Sequence, residues 1–339
     1  MPARRSLIAA LLALMGVVVA ACGGASDSSD DGSATAASSG GSGAQLSLVA
    51  YSTPQVVYDE IIPAFEKTDA GQGVSFKESF GASGEQSRAV EAGLAADVVS
   101  FSLEPDLTRL VDAGLVKGNW DRTPSKGLVT TSVVAFIVRK GNPKGIHSWD
   151  DLLKPGVEVL TPNPFTSGAA KWNLLAAYGA KGLPYVEELI SEHVKVQDKS
   201  GREALQSFTS GTGDVLLSYE YEATTAQRKG QEVDYVIPDD TISIEIPIAV
   251  TSKSKSPEQA TAFVDYVLSE PAQRQFAEWG YRPVNEAVLQ ANADKFPTPP
   301  KLRTIRELGG WSKLNDELFD PENGSIAKIE EAAGVSTDK

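Results

Sequence analysis

The sequence predicts an α/β fold of two lobes, the second inserted into the first. Three observations carry the prediction. From residue 45 onward, short apolar or alternating stretches take turns with helix-period stretches, the rhythm of a largely parallel sheet. A long apolar stretch, Thr131 to Arg139 (TSVVAFIVR), leads out of the first lobe. A second, Glu245 to Val250 (EIPIAV), leads back.

The elements follow in order. Gln45 to Ala50 alternates and reads as the first strand. A helix follows from about Pro54, with Val57, Ile61, Ile62 and Phe65 on one face. Val74 to Lys77 is a second strand, 84–94 a helix and Ala96 to Phe101 a buried strand. In the second lobe, 157–160, 194–197, 215–219 and 233–237 are strands between helical stretches. The segment 257–279 is amphipathic and helical, with a break expected at Pro271.

The N-terminus is of a different kind. Arg4 and Arg5 precede an apolar run, Leu7 to Ala21, too short for a membrane span and laid out as a secretory signal peptide. The run ends in Val19-Ala20-Ala21-Cys22, which resembles a bacterial lipobox. That resemblance implies cleavage before Cys22 and lipidation of it, hence a protein held by lipid on the outer face of the cell membrane. Cys22 is the only cysteine, so it has no disulfide partner. Residues 23–44 are Gly, Ser, Ala, Thr and Asp throughout, too polar to bury a core, and are expected to be a flexible linker. The domains expected are thus 1–21 leader, 22–44 linker, 45–131 with 245–339 as lobe I, and 132–244 as lobe II.

The formal charge is −14, and loss of a leader carrying Arg4 and Arg5 makes the remainder more negative. That balance argues against nucleic acid as a partner and means that any anion site must succeed locally. In open α/β sheets ligands sit where strand ends lead into helix starts. Three such starts carry a Ser-Gly step. Ser83-Gly84 opens the first, where Ser83 fits an N-cap and Gln86 stands at capping-box spacing. The second is LTPNPFTSGAAKWNLL, residues 160–175. Pro162 and Pro164 force an extended approach, Ser167 is the natural cap, and Gly168 and Ala169 remove bulk from the first turn. Position 170, where a capping carboxylate would stand, is alanine, so the first-turn N–H groups stay open to an anion. The third is Ser200-Gly201, where Glu203 is placed to close a box on Ser200. Five to seven donors at about 1.5–3 kcal/mol each offset the desolvation of a dianion and leave roughly micromolar binding.

These segments resemble the sulfate/thiosulfate-binding proteins of ABC importers. The likeness lies in FGASGEQSRAVEAGLAADVV, in FIVRKGNPKGIHSWDDLLKPGVEVLTPNPFTSGAAKWNLLAAYG, in GTGDVLLSYEYEA, and in YRPVN followed by LGGW. It runs from about residue 46 to 320. It implies a type II periplasmic-binding-protein-like fold with two crossover strands as its hinge, closing on a tetrahedral oxyanion, with no cofactor, metal or catalysis. A monomer working with membrane permease subunits is expected. The resemblance places the ligand contacts on Ser83, Ser167, Gly168, Ala169, Gly201, Tyr219 and Ser52. Three of these depart from the family pattern: Ala169 stands for a glycine and keeps its N–H, Tyr219 stands for a tryptophan and Ser52 for an acid. An indole N–H only donates, whereas a phenol donates or accepts, so Tyr219 keeps molybdate, tungstate and phosphate open beside sulfate.

Arg202 and Arg282 read as structural ion-pair residues, and Glu220 and Glu222, alternating on a strand, as solvated or lobe-contact residues. His147 and His193 have no second ligand at metal spacing. No Gly-x-Ser-x-Gly elbow or phosphate loop supports the remaining class, an extracytoplasmic hydrolase.

Overall fold

Strand β1 (Gln45–Tyr51) lies between two parallel neighbours, β2 (Ser75–Gly81) and β3 (Val98–Ser100). The structure, a computed structural model, describes residues 43–338. Helix α1 (Gln55–Phe65) joins β1 to β2 and buries Val57, Tyr58, Ile61, Ile62 and Phe65, the spacing of one helical face. Helix α2 (Ser83–Glu91) joins β2 to β3, and α3 (Glu104–Asp112) follows β3. The chain then enters β4 (Leu128–Arg139).

Beyond β4 come β5 (Val159–Leu160), α4 (Gly168–Lys181), α5 (Leu183–Glu188), β6 (Val194–Val196) and α6 (Gly201–Thr209). Next are β7 (Val215–Tyr219), α7 (Glu220–Arg228), β8 (Val233–Val236) and the return strand β9 (Asp240–Val250). The last part holds α8 (Pro257–Val267), α9 (Glu270–Glu278), β10 (Arg282–Pro283), α10 (Glu286–Ala291) and β11 (Lys301–Arg303). Helices α11 (Trp311–Leu318) and α12 (Ser325–Ala332) end it.

The strand order is β2-β1-β3-β9-β4-β7-β5-β6. The first half of β4 pairs antiparallel with β9, and its second half with β7 and β8. The last residues of β9 pair with β3. Two long strands thus knit two α/β halves, as the mixed sheet of a two-lobe type II binding-protein fold requires. The sheet is less parallel than expected. Its flanks are parallel, but its centre is antiparallel because β4 leaves the first half in the direction opposite to the return of β9.

Two further expectations are corrected. The break in 257–279 falls at Leu268 and Ser269; Pro271 stands in the first turn of α9, where its missing N–H costs nothing. Glu220 and Glu222 are not on a strand, since β7 stops at Tyr219 and both lie in the first turn of α7. The C-terminal stretch binds mainly to the second half. Arg303 forks onto Asp240 with bonds of 2.5 and 2.8 Å. Trp311 meets Trp172 of α4 edge-on, with ring centroids 4.9 Å apart. Among the described residues no helix is long and apolar enough to cross a membrane.

Candidate functional site

The start of α4 is as bare as its sequence suggests. Ser167 stands at the cap in extended conformation, with φ −107° and ψ 124°. Its side chain makes no capping bond, and the first turn holds no acidic residue. Asn163 shapes the approach: its carbonyl accepts the Ser167 N–H at 2.9 Å and its side chain accepts the Phe165 N–H at 2.7 Å. Gly168, Ala169 and Ala170 are buried.

The start of α2 differs from expectation. Ala82 holds the cap position, and Ser83 is the first helical residue. Its Oγ donates to Asp106 Oδ2 at 2.7 Å and accepts the Ser102 N–H at 3.0 Å. Gln86 accepts from Ser79 Oγ at 2.9 Å instead of closing a capping box. Burial pushes the Asp106 carboxyl up, while the Ser83 hydroxyl, Lys171, Arg109 and Arg88 push it down. The start of α6 is capped, with Ser200 Oγ accepting the Glu203 N–H at 3.2 Å.

All three starts face one cavity of about 190 Å³, counting the space between its lining atoms. Only about 10 Å³ of it admits the centre of a water-sized sphere, against roughly 300–1,000 Å³ in sites for drug-sized ligands, so the space has room for nothing larger than a small ion. The structure brings Ser52, Ser83, Ser167, Gly168, Ala169, Gly201 and Tyr219 together in its wall. Thr53, Ser102 and Ser200 join them there. Among the described residues no charged side chain lines it, so backbone N–H groups and hydroxyls are the donors available. Packing leaves little slack. A Cβ on Gly201 would stand 3.3 Å from Thr53 Cγ2 and 3.4 Å from Ala169 Cβ. A Cβ on Gly168 would stand 1.9 Å from Ser102 Oγ.

Charge stands one layer back. An adjoining cleft holds Arg88, Arg109, Lys171 and the buried Asp106. Behind the start of α6, Arg202 Nη2 donates to Thr53 O at 2.5 Å and lies 3.5 Å from Glu222 Oε1. Arg282 Nε donates to Glu220 Oε2 at 2.7 Å. Both carboxylates are buried, not solvated as the sequence suggested, and burial pushes both up against the pull of their arginines. The structural pairing expected of Arg202 and Arg282 is present.

Tyr219 ends β7 and caps α7. Its ring stacks on Tyr221 at 4.8 Å, and Tyr221 stacks on Tyr281 at 3.7 Å. Tyr221 is held by its hydroxyl, which bonds Thr53 Oγ1 at 2.9 Å and Tyr51 OH at 3.1 Å. The Tyr219 hydroxyl is buried with no hydrogen-bond partner, and burial keeps the phenol protonated. Sequence reading missed Ser102. Trp172 Nε1 donates to its carbonyl at 2.7 Å, while its own hydroxyl has no partner. The available signal was its place at the carboxyl end of β3, where ligand loops of α/β sheets begin.

Comparison with known proteins gives consistent results. A family model described as bacterial extracellular solute-binding protein matches residues 46–282. The sulfate-binding protein of Synechococcus elongatus is 41% identical over 306 residues, covering 85% of this chain and 87% of that one. The thiosulfate-binding protein of Escherichia coli is 33% identical, covering 83% of this chain and 89% of that one. The structure of the sulfate-binding protein SubI from Mycobacterium tuberculosis superposes with a TM-score of 0.80 at 48% identity. It covers 82% of this chain and 100% of that one. The molybdate-binding protein of Azotobacter vinelandii shares the fold, with a TM-score of 0.58 at 16% identity over 70% of this chain and 98% of that one.

Proposed function

The chain belongs to the bacterial extracellular solute-binding proteins, in the branch of the sulfate- and thiosulfate-binding proteins, and on that premise we propose that it captures sulfate outside the cell and delivers it to the permease of an ABC importer. The observation that carries the reading is the convergence of three helix starts on one small cavity without a charged wall. Helix N-termini present N–H donors and the positive ends of dipoles, so they hold an anion without a counter-ion. In this reading Ser167, Gly168, Ala169, Gly201 and Ser52 donate from the wall, Ser83 donates its backbone N–H, and Tyr219 donates its hydroxyl.

One lobe is residues 45–131 with the chain from 245, the other is 132–244 with the C-terminal stretch from Lys301 packed against it, and they close about β4 and β9 when the anion arrives. The protein works as a binder and not as a catalyst. Thiosulfate is the second ligand. Cys22 lies outside the described residues; its lipidation would anchor the protein on the outer face of the membrane. Calorimetry with sulfate, thiosulfate, phosphate and molybdate tests the ligand, and absence of heat with all four refutes the reading. Labelling with a palmitate analogue tests the anchor: label on the parent and none on Cys22→Ser is the expected result.

A further inference from the structure

We propose that Ser102 is a further ligand-contacting residue, and that Ser102 and Tyr219 supply the hydroxyl protons that Ser83 withholds. The inference rests on the oxyanion reading above. A serine hydroxyl has one proton to give. Ser83 gives its proton to Asp106 Oδ2 at 2.7 Å, and its oxygen accepts the Ser102 N–H at 3.0 Å. Burial pushes the Asp106 carboxyl up on balance, and the Ser83 hydroxyl together with Lys171, Arg109 and Arg88 in the same cleft opposes that and supports the carboxylate that takes this proton. Ser83 is therefore left with its backbone N–H as the donor to a fully ionised oxyanion.

Ser102 stands differently. It follows β3 directly, is 1% exposed, and its Oγ has no hydrogen-bond partner. Its position is pinned by Gly168, on which a Cβ would come within 1.9 Å of that oxygen. The hydroxyl thus lies against the first turn of α4. The Tyr219 hydroxyl lies beside it, close enough for the serine to ease its ionisation, yet the two do not meet at hydrogen-bond geometry, and neither has another partner among the described residues. Buried polar groups in native proteins are paired as a rule, and an exception marks a place where something else completes the bond. Here two unpaired hydroxyls share the wall of one cavity. A tetrahedral anion seated before the helix starts has oxygens enough for both.

The test is calorimetry with sodium sulfate on the full chain, comparing the parent with Ser102→Ala and Tyr219→Phe. The melting temperature of each is measured without sulfate. Loss of one neutral donor to a charged acceptor lowers affinity about 10- to 100-fold, and that loss is expected of both variants. The sulfate-free melting temperature of Ser102→Ala is expected to stay level or rise, since an unpaired buried hydroxyl is removed. A purely structural serine would show the reverse, a lower melting temperature with unchanged affinity, and that result overturns the proposal. Parent-like affinity in Ser102→Ala at any melting temperature overturns it as well. A parent that binds none of the four oxyanions overturns the oxyanion reading itself, whereas a binding parent beside an unaffected Ser102→Ala overturns the Ser102 assignment alone.

Discussion

Replacing Gly168 by alanine separates a closing cleft from a rigid wall. Gly168 is the first residue of α4 and is absent from the positive-φ positions, so the backbone accepts alanine. Alanine is favoured over glycine within helices by up to about 1 kcal/mol, and less in a first turn. Against that small gain stand contacts of 1.9 Å to Ser102 Oγ and 2.7 Å to Leu103 Cγ, both far inside van der Waals distance. Overpacking of this order costs about 1–3 kcal/mol. Ser102 and Leu103 follow β3 in the first half of the sheet, while Gly168 opens α4 in the second. If the halves part in the absence of ligand, the clash disappears there and burdens only the closed state. The expected result is a melting temperature within a few degrees of the parent and a sulfate affinity lower by about 5- to 100-fold. Calorimetry and a thermal melt on the same sample read both quantities. Full destabilisation with unchanged affinity per folded molecule would show the contact to lie inside one rigid body and would refute the reasoning.

Other outcomes follow from the buried charges. Burial raises Glu330 to about 7, with Gln197 Nε2 on Oε2 as its partner. At low pH both folded and unfolded states are protonated there and no cost arises. As pH rises toward 7 the unfolded chain ionises first and stability falls, reaching a deficit on the order of 3 kcal/mol. Glu330→Gln is therefore expected to exceed the parent in stability at about pH 8 and to match it at about pH 4, by chemical denaturation. Arg282→Met leaves the carboxylate of Glu220 buried and alone, and is expected to cost about 3–5 kcal/mol. Adding Glu220→Leu is expected to return most of that loss in the same denaturation assay.

The legible part of the site was its backbone. Pro162, Pro164 and the alanine at 170 are local signals, and they described the start of α4 as the structure has it. Side-chain commitments were not legible, because they depend on partners distant in sequence. Ser83 and Gln86 stand at capping-box spacing, yet Asp106, 23 residues on, takes the Ser83 proton and Ser79 takes the glutamine. Alternation at Glu220 and Glu222 resembled a strand face, but both lie in the first turn of α7, buried beside Arg282 and Arg202. The antiparallel centre of the sheet was hidden for a similar reason. Its direction depends on how β4 and β9 meet, more than 100 residues apart along the chain. Ser102 looked like any residue after a strand until its neighbours across the cavity were in place.

The ring of Trp172 has a consequence for the order in which the protein is made. One edge holds the Ser102 carbonyl, and another meets Trp311. Every residue of the cavity wall lies between positions 51 and 219. A chain that emerges N-terminus first therefore owns the whole wall long before it owns the ring that braces it from behind. A product cut short before residue 311 would carry every wall residue and lack the ring that packs behind Trp172.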